Sequence, residues 1–292
     1  MIRTAFSTVA CPSWTLSRVL ENASRWGYDG VELRSFVGTS LPETSGGTGF
    51  ASEPMLTSGE KIRDLVAHEG VLVSSIATGA RFDAPVFPPI IGHVLPAQHA
   101  HAEAGKRAVE VASECGAGAI RVYAFDMPKG SSKGGTIRRI ADRLQRVCDH
   151  ARHKDVLVCL ENGGAFRKAE QIAEIIDLVG GPLIRASYDV HTGASEGDTA
   201  SEVIGMFGRR LHTLRLRDTK HGDACLIGDG DAPVGEFVST AMNAGLEPWA
   251  TVSWDVKWLE GLAPAEDVLP EAVKRIYGWI GAAHRNADGA AA

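Results

Sequence analysis

Acids and bases at the ends of short apolar runs are the residues of this chain that could do chemistry. Glu161 ends the run VLVCLE, Asp189 ends IRASYD, and Asp255 ends ATVSWD. A carboxylate at the end of a buried strand needs a partner, because burying an unpaired charge is costly. Two carboxylates on opposite sides of one carbon could remove and return a proton, so Glu161 and Asp255 are candidate catalytic residues. His191 follows Asp189 by two residues in the same turn.

The stretch RLHTLRLRD, residues 210–218, alternates like a strand but carries arginines on one parity. Thr213, Arg215 and Arg217 would share one face of such a strand, and His212 would lie on the other. Burying two arginines against helices would carry a prohibitive desolvation cost, so we expect Arg215 and Arg217 to face the interior of the fold. There a guanidinium could stabilise a developing oxyanion or bind a substrate carboxylate.

Short apolar strands that alternate with amphipathic helices must position these residues. The predicted strands are Thr4–Val9, Gly30–Arg34, Val71–Ile76, Ala119–Tyr123, Val156–Glu161, Ile184–Asp189, Leu211–Arg217 and Ala250–Asp255. Between them, apolar residues recur at helical spacing, and many of these segments end in glycine, as helices commonly do. Eight repeats in 292 residues predict an α/β fold, a single (β/α)8 TIM barrel. An open doubly wound sheet is less favoured, because the first strand–helix turn has no GxGxxG or Walker sequence.

We predict one barrel domain over residues 1–285 and a frayed C-terminal tail over 286–292. The active site of such a barrel lies at the C-terminal ends of its strands. Glu32 and Arg34 lie at one of these ends, where they could pair with each other. Two loops lie outside this pattern, a Gly-rich stretch at 46–50 and a long segment from Asp83 to Pro96 that could act as a lid.

Composition and charge narrow the class of protein. The net charge is −6 and the pI is near 5.9, so the chain lacks the basic surface of a nucleic-acid-binding protein. The five cysteines form no CxxC motif, which favours a reducing compartment. Neither a signal peptide nor a membrane-spanning apolar run is recognised. We therefore expect a cytoplasmic protein without a membrane or nucleic-acid partner.

Six stretches together resemble, in order and spacing, the xylose-isomerase-like superfamily, which includes the sugar phosphate isomerases and epimerases. They are GYDGVELRSF (27–36), VLVCLENGG (156–164), SYDVHTGAS (187–195), LHTLRLRD (211–218), GDGDAPVGEFV (228–238) and TVSWDVKW (251–258). The resemblance covers nearly the whole chain. It implies the barrel fold more specifically than a substrate, because the superfamily spans isomerases, epimerases, lyases and endonucleases.

The resemblance also implies one divalent metal ion, such as Mn, Mg, Co or Zn. It places Glu161, Asp189 and Asp255 at ligand positions, with Arg215 where the family has a ligand histidine. A guanidinium stays protonated and repels a cation, which counts against the metal.

We therefore predict a sugar or sugar-acid isomerase or epimerase of carbohydrate metabolism that works through an enediolate, with assistance from a divalent metal. Glu161 and Asp255 would transfer the proton. Four residues would bind the substrate: Arg215, Arg217, His191 and Glu32. Two alternatives stay open. One is a metal-independent isomerase or lyase in which Arg215 replaces the ion, and the other is a non-catalytic sugar-binding barrel subunit. The expected partner is a small-molecule carbohydrate, and association into a homo-oligomer is also open.

Overall fold

The computed structural model describes residues 1–34, 59–83, 100–124, 126–256 and 259–290. The Gly-rich stretch at 46–50 lies outside these ranges. So does the segment after Asp83 that is predicted to act as a lid.

A closed barrel of eight parallel strands forms the centre of the molecule. In chain order the eight barrel strands and the two strands of a separate hairpin, β8 and β9, are β1 Arg3–Ser7, β2 Gly30–Arg34, β3 Leu72–Arg81, β4 Ala119–Tyr123, β5 Leu157–Glu161, β6 Ile184–Asp189, β7 Leu211–Leu216, β8 Asp218–Lys220, β9 Asp223–Cys225 and β10 Trp249–Val252. Neighbouring barrel strands pair in sequence order, and β10 closes the barrel between β7 and β1. β8 and β9 form a separate antiparallel hairpin. The predicted (β/α)8 TIM barrel is thereby confirmed, with each predicted strand overlapping one barrel strand.

Helices surround the barrel and follow its strands. They are α1 Leu16–Trp26, α2 Gly59–Glu69, α3 Ala100–Cys115, α4 Lys133–Ala151, α5 Ala169–Val179, α6 Val190–Ala194, α7 Ala200–Phe207, α8 Val234–Asn243 and α9 Ala265–Ala290. None of the helices in the described ranges is long and apolar enough to cross a membrane. The boundary at residue 285 between barrel and tail stays a prediction.

Aromatic and aliphatic side chains fill the layer between the barrel and its helices. Phe6 of β1 packs against Tyr28 and Trp26, with ring centroids 5.0 and 6.1 Å away. On the other side of the barrel, Tyr188 of β6 stacks on Phe237 of α8 at 5.7 Å. These outward positions alternate with inward ones along each strand. The apolar parity therefore faces the helices, and the charged parity faces the barrel interior.

The loop after the β8–β9 hairpin is fixed by one carboxylate. Asp218 accepts hydrogen bonds from the backbone N–H groups of Thr219, Gly228, Gly230 and Ala232, at 2.9 to 3.0 Å. Residue 230 must be glycine in this arrangement, because a Cβ there would lie 2.2 Å from the Asp218 carboxylate. This anchoring gives the C-terminal side of β7 a defined wall.

Candidate active site at the C-terminal end of the barrel

Four charged side chains form a network inside the barrel, which we call the buried quartet: Glu32, Arg121, Glu161 and Arg215. Arg121 donates to both oxygens of Glu32, from Nε at 2.7 Å and from Nη2 at 3.0 Å. Its Nη1 donates to Oε2 of Glu161 at 2.5 Å. Arg215 donates from Nη1 to Oε1 of Glu32 at 2.8 Å, and its Nε lies 3.1 Å from Oε2 of Glu161. Two acids and two guanidiniums thus balance each other in charge.

Burial and charge pairing compete in setting the ionisation of the quartet. Glu32 has no exposed surface, and burial alone would raise the pKa of its carboxyl. The guanidiniums of Arg121 and Arg215 outweigh that effect and hold the pKa of Glu32 well below its usual range. Burial lowers the pKa of each arginine in turn, but the two glutamates raise it to a net value above the usual one. Glu32 and both arginines therefore stay charged around neutral pH.

Three further charged side chains lie where β6, β7 and β10 end, and we call them the mouth triad: Asp189, Arg217 and Asp255. Asp189 is buried, whereas Arg217 and Asp255 are partly exposed. Nε of Arg217 lies 2.8 Å from Oδ2 of Asp189, and its Nη1 lies 3.8 Å from Oδ2 of Asp255. Nη2 of Arg217 donates to the hydroxyl of Thr192 at 2.8 Å. The Arg217 side chain is 38% exposed, so its charge is accessible at the mouth.

Asp189 is held in place by the turn that follows β6. Its Oδ1 accepts from the backbone N–H of Thr192 at 2.7 Å, and this bond caps the short helix α6. Its own N–H donates to Oδ1 of Asn162 at 2.6 Å. Burial would raise the pKa of the Asp189 carboxyl, but Arg217 and the Thr192 N–H outweigh it, so the pKa lies below its usual range. Asp189 is therefore a fixed anion that orients Arg217.

Two carboxylate oxygens in this region have neither a hydrogen bond nor a short ion pair with a described residue. Oε2 of Glu161 contacts two arginines, whereas Oε1 is not engaged. Oδ1 of Asp255 accepts from the Ser253 hydroxyl at 2.9 Å, whereas Oδ2 has only the 3.8 Å contact with Arg217, which is too long for a hydrogen bond. An oxygen of this kind can accept a proton from a substrate.

A cleft opens beside the mouth triad. It has about 440 Å³ of empty volume, which includes its opening to solvent. Arg217 and Asp255 lie on one side, and the β8–β9 hairpin and α9 contribute apolar residues such as Ala224 and Val268. A cleft lined mainly by apolar residues with a few polar groups is typical of a small-molecule site.

His191 lies at the rim of this region, on α6. Its Nε2 is 2.8 Å from the hydroxyl of Thr219, which links α6 to the hairpin, and its Nδ1 is buried without a partner among the described residues. Burial and the nearby Arg217 lower the pKa of the imidazole, so His191 is neutral at neutral pH. Its predicted contact with a substrate stays a prediction.

The structure brings the predicted site residues together in the buried quartet and the mouth triad, with one change of partner. The predicted pairing of Glu32 with Arg34 is wrong, because Glu32 pairs with Arg121 and Arg215 while Arg34 donates to Thr78 O and Tyr123 Oη. Glu32 has no exposed surface, and its predicted contact with a substrate stays a prediction.

Sequence analysis did not assign three residues of this network to the site: Arg121, Thr192 and Ser253. Arg121 bridges the two glutamates, and its inward parity in AIRVY was the available signal. Thr192 and Ser253 each bond to an arginine of the site. Hydroxyl residues are common near strand ends, so sequence alone gives them no distinguishing signal.

The residues implied as metal ligands do not fit a divalent ion in this arrangement. A bound cation needs several oxygen or nitrogen donors that converge on one point. Within the described ranges, no group of three or more histidine, cysteine, aspartate or glutamate residues converges in this way. Glu161 and Asp189 each lie within 3.1 Å of an arginine nitrogen, and Asp255 faces Arg217 at 3.8 Å. These guanidiniums would repel the ion that the resemblance implies.

A family model described as xylose isomerase-like TIM barrel matches residues 20–279. This match covers most of the sequence, and the chain belongs to that family. A sequence comparison with curated proteins gave no significant match.

Solved structures with the same fold include several epimerases. L-ribulose 3-epimerase is similar with a TM-score of 0.80 and 15% identity, over 100% of this chain and 99% of that one. D-psicose 3-epimerase in the presence of D-fructose has a TM-score of 0.73 and 13% identity, over 96% and 100% of the two chains. The IOLI protein with a binding zinc atom has a TM-score of 0.74 and 16% identity, over 96% and 98%. At these identities the similarity shows the fold.

Proposed function

We propose that this chain is a sugar or sugar-acid isomerase or epimerase that transfers a proton at the carbon next to a carbonyl group. The observation that carries the proposal is the mouth triad, in which a partly exposed guanidinium lies between two carboxylates at the catalytic end of the barrel. The epimerases that share this fold act on ketoses, which supports the substrate class.

Asp255 is the proposed base. Its Oδ2 takes the proton from the carbon, and the electron pair moves into the carbonyl to form an enediolate. The exposed Arg217 stabilises the oxygen on which this negative charge develops. Glu161, after taking up a proton from solvent at Oε1, gives it to the opposite face of the carbon and so inverts it, and the proton held by Asp255 is released to solvent. General acid–base catalysis by such groups contributes roughly 100-fold to 10,000-fold in rate.

The cation of this site is Arg217 in our proposal, rather than Arg215, which was the cation of the metal-independent alternative. The Arg215 nitrogens face protein atoms, with Nη1 on Glu32, Nη2 on Ser253 and Nε beside Glu161. Arg215 therefore fixes the carboxylate positions from below. Nη1 of Arg217 lies 3.8 Å from the Asp255 carboxylate, too far for a hydrogen bond. This nitrogen is therefore available for a substrate oxygen.

A non-catalytic sugar-binding barrel is the second candidate, and the state of Glu161 favours it. One oxygen of Glu161 is shared by Arg121 and Arg215. These contacts are those of a residue that fixes two arginines in place, a role that needs no proton transfer. Such a site could bind a carbonyl compound without exchanging its proton.

Deuterium incorporation separates these two functions. Ketoses and keto sugar acids would be incubated with the protein in D2O, and NMR would follow loss of the proton next to the carbonyl. We expect exchange with the wild-type protein and a loss of roughly 100-fold in Asp255→Asn. Asp149→Asn is the matched control, because Asp149 of α4 pairs on the surface with Arg152, the residue that follows this helix. Saturable sugar binding without deuterium incorporation would refute the enzyme and favour the binding protein.

A further inference from the structure

One serine joins the buried quartet to the mouth triad. The hydroxyl of Ser253 accepts a hydrogen bond from Nη2 of Arg215 at 2.6 Å and donates one to Oδ1 of Asp255 at 2.9 Å. Ser253 is buried, and its backbone N–H donates to the carbonyl of Leu216 at 2.9 Å, which fixes the chain just after β10 to the end of β7. Both the backbone and the side chain of Ser253 are thus held in place.

The direction of these bonds is determined by the groups involved. A guanidinium can only donate, so the Ser253 oxygen must accept from Arg215. The single hydroxyl proton is then left for Asp255, whose ionised carboxylate can only accept. Because Arg215 is itself locked by Glu32, the hydroxyl proton points to one oxygen of Asp255 and leaves the other without a hydrogen bond.

We propose that Ser253 is a positioning residue that presents Oδ2 of Asp255 to the substrate. This proposal rests on the proposed function. Asp255 lies three residues beyond the end of β10, where strand pairing no longer holds the chain. Its carboxylate side chain is 22% exposed and its contact with Arg217 is long. Among the described residues, the hydrogen bond from Ser253 is therefore the short contact that sets the orientation of the Asp255 carboxylate.

The test compares three serine variants in the deuterium exchange assay. In Ser253→Ala we expect kcat to fall roughly tenfold while KM changes less than about twofold, because orientation of the base is lost and substrate contacts are kept. Ser253→Thr retains the hydroxyl and should recover most of the rate. Ser187→Ala is the matched control, because this serine is also buried on an inward strand position but its hydroxyl has no partner among the described residues. We expect it to leave kcat and KM unchanged.

Crystal structures of the wild-type protein and Ser253→Ala supply a readout that does not depend on turnover. We expect a single Asp255 side-chain conformation in the wild type and several, or a rotated one, in the variant. Unchanged kcat in Ser253→Ala would overturn the positioning role, as would an Asp255 conformation identical to that of the wild type. If the wild-type protein exchanges no proton, the proposed function fails, and the two crystal structures still decide whether Ser253 orients Asp255.

Discussion

Removal of the Glu32 charge is the sharpest perturbation of the barrel interior. Glu32 accepts from Nε and Nη2 of Arg121, from Nη1 of Arg215, and from the hydroxyl of Ser75 at 3.2 Å. Glu32→Gln keeps the shape of the side chain but leaves two buried guanidiniums with one carboxylate between them. Breaking a buried ion pair by removing one partner costs about 3–5 kcal/mol. We expect a loss of that order in the free energy of unfolding at pH 7.

The pH dependence of this difference follows from the direction of the Glu32 pKa. Its folded-state pKa lies below the unfolded value of about 4.3, so the stability it contributes is present above that value and is lost as pH falls. Below the unfolded pKa the loss approaches about 1.4 kcal/mol per pH unit. The gap between wild type and Glu32→Gln should therefore shrink by roughly 1 kcal/mol between pH 7 and pH 3.5.

Urea unfolding followed by circular dichroism at both pH values measures this gap. Glu271→Gln is the matched control, because Glu271 is an exposed residue of α9 that pairs with Lys274 one turn away. We expect that control to change stability little, since exposed pairs contribute little. A Glu32→Gln protein as stable as the wild type at pH 7, or a gap that widens in acid, would refute the account of the buried quartet.

Three further outcomes are expected. Thiol labelling of the native protein should modify Cys225 alone of the five cysteines, because the other four are buried. Burial also makes a thiol less reactive, and it raises the pKa of Cys148 to about 12. Fast labelling at a second cysteine would contradict this. Gly193→Ala should lower Tm, because its Cβ would lie 1.7 Å from the Tyr188 hydroxyl, and an unchanged Tm would show that the contact relaxes freely. Asp218→Asn should cost about 2 kcal/mol in urea unfolding, because the carboxylate accepts four backbone N–H bonds; an unchanged midpoint would contradict its anchoring role.

The barrel was predictable because its signal is local. Apolar runs and helical periodicity lie within single stretches of the sequence, and each strand parity can be read from its own residues. The stretch 210–218 illustrates this, since the arginines on one parity predict the inward face on which Arg215 is found. The end of the last strand was less predictable. Pairing stops at Val252, and Asp255 lies beyond it in the following loop.

The choice of partners inside the barrel could not be predicted, because it depends on contacts across strands that are distant in sequence. Glu32 and Arg34 share one strand face and form an obvious pair, but Arg121 reaches Glu32 from 89 residues away. Arg215 reaches the same carboxylate from 183 residues away. Barrel closure sets these distances, and a single sequence does not specify which of several inward cations meets which acid.

Proton exchange by metal-stripped protein is the most direct test of the central claim that an arginine supplies the positive charge of the mouth site. The protein would be treated with a chelator, its metal content measured, and deuterium incorporation into a reactive ketose or keto sugar acid followed with and without added Mn. We predict that the stripped protein exchanges at the full rate and that Arg217→Met loses the activity. Exchange that disappears with the chelator and returns with Mn would contradict the account.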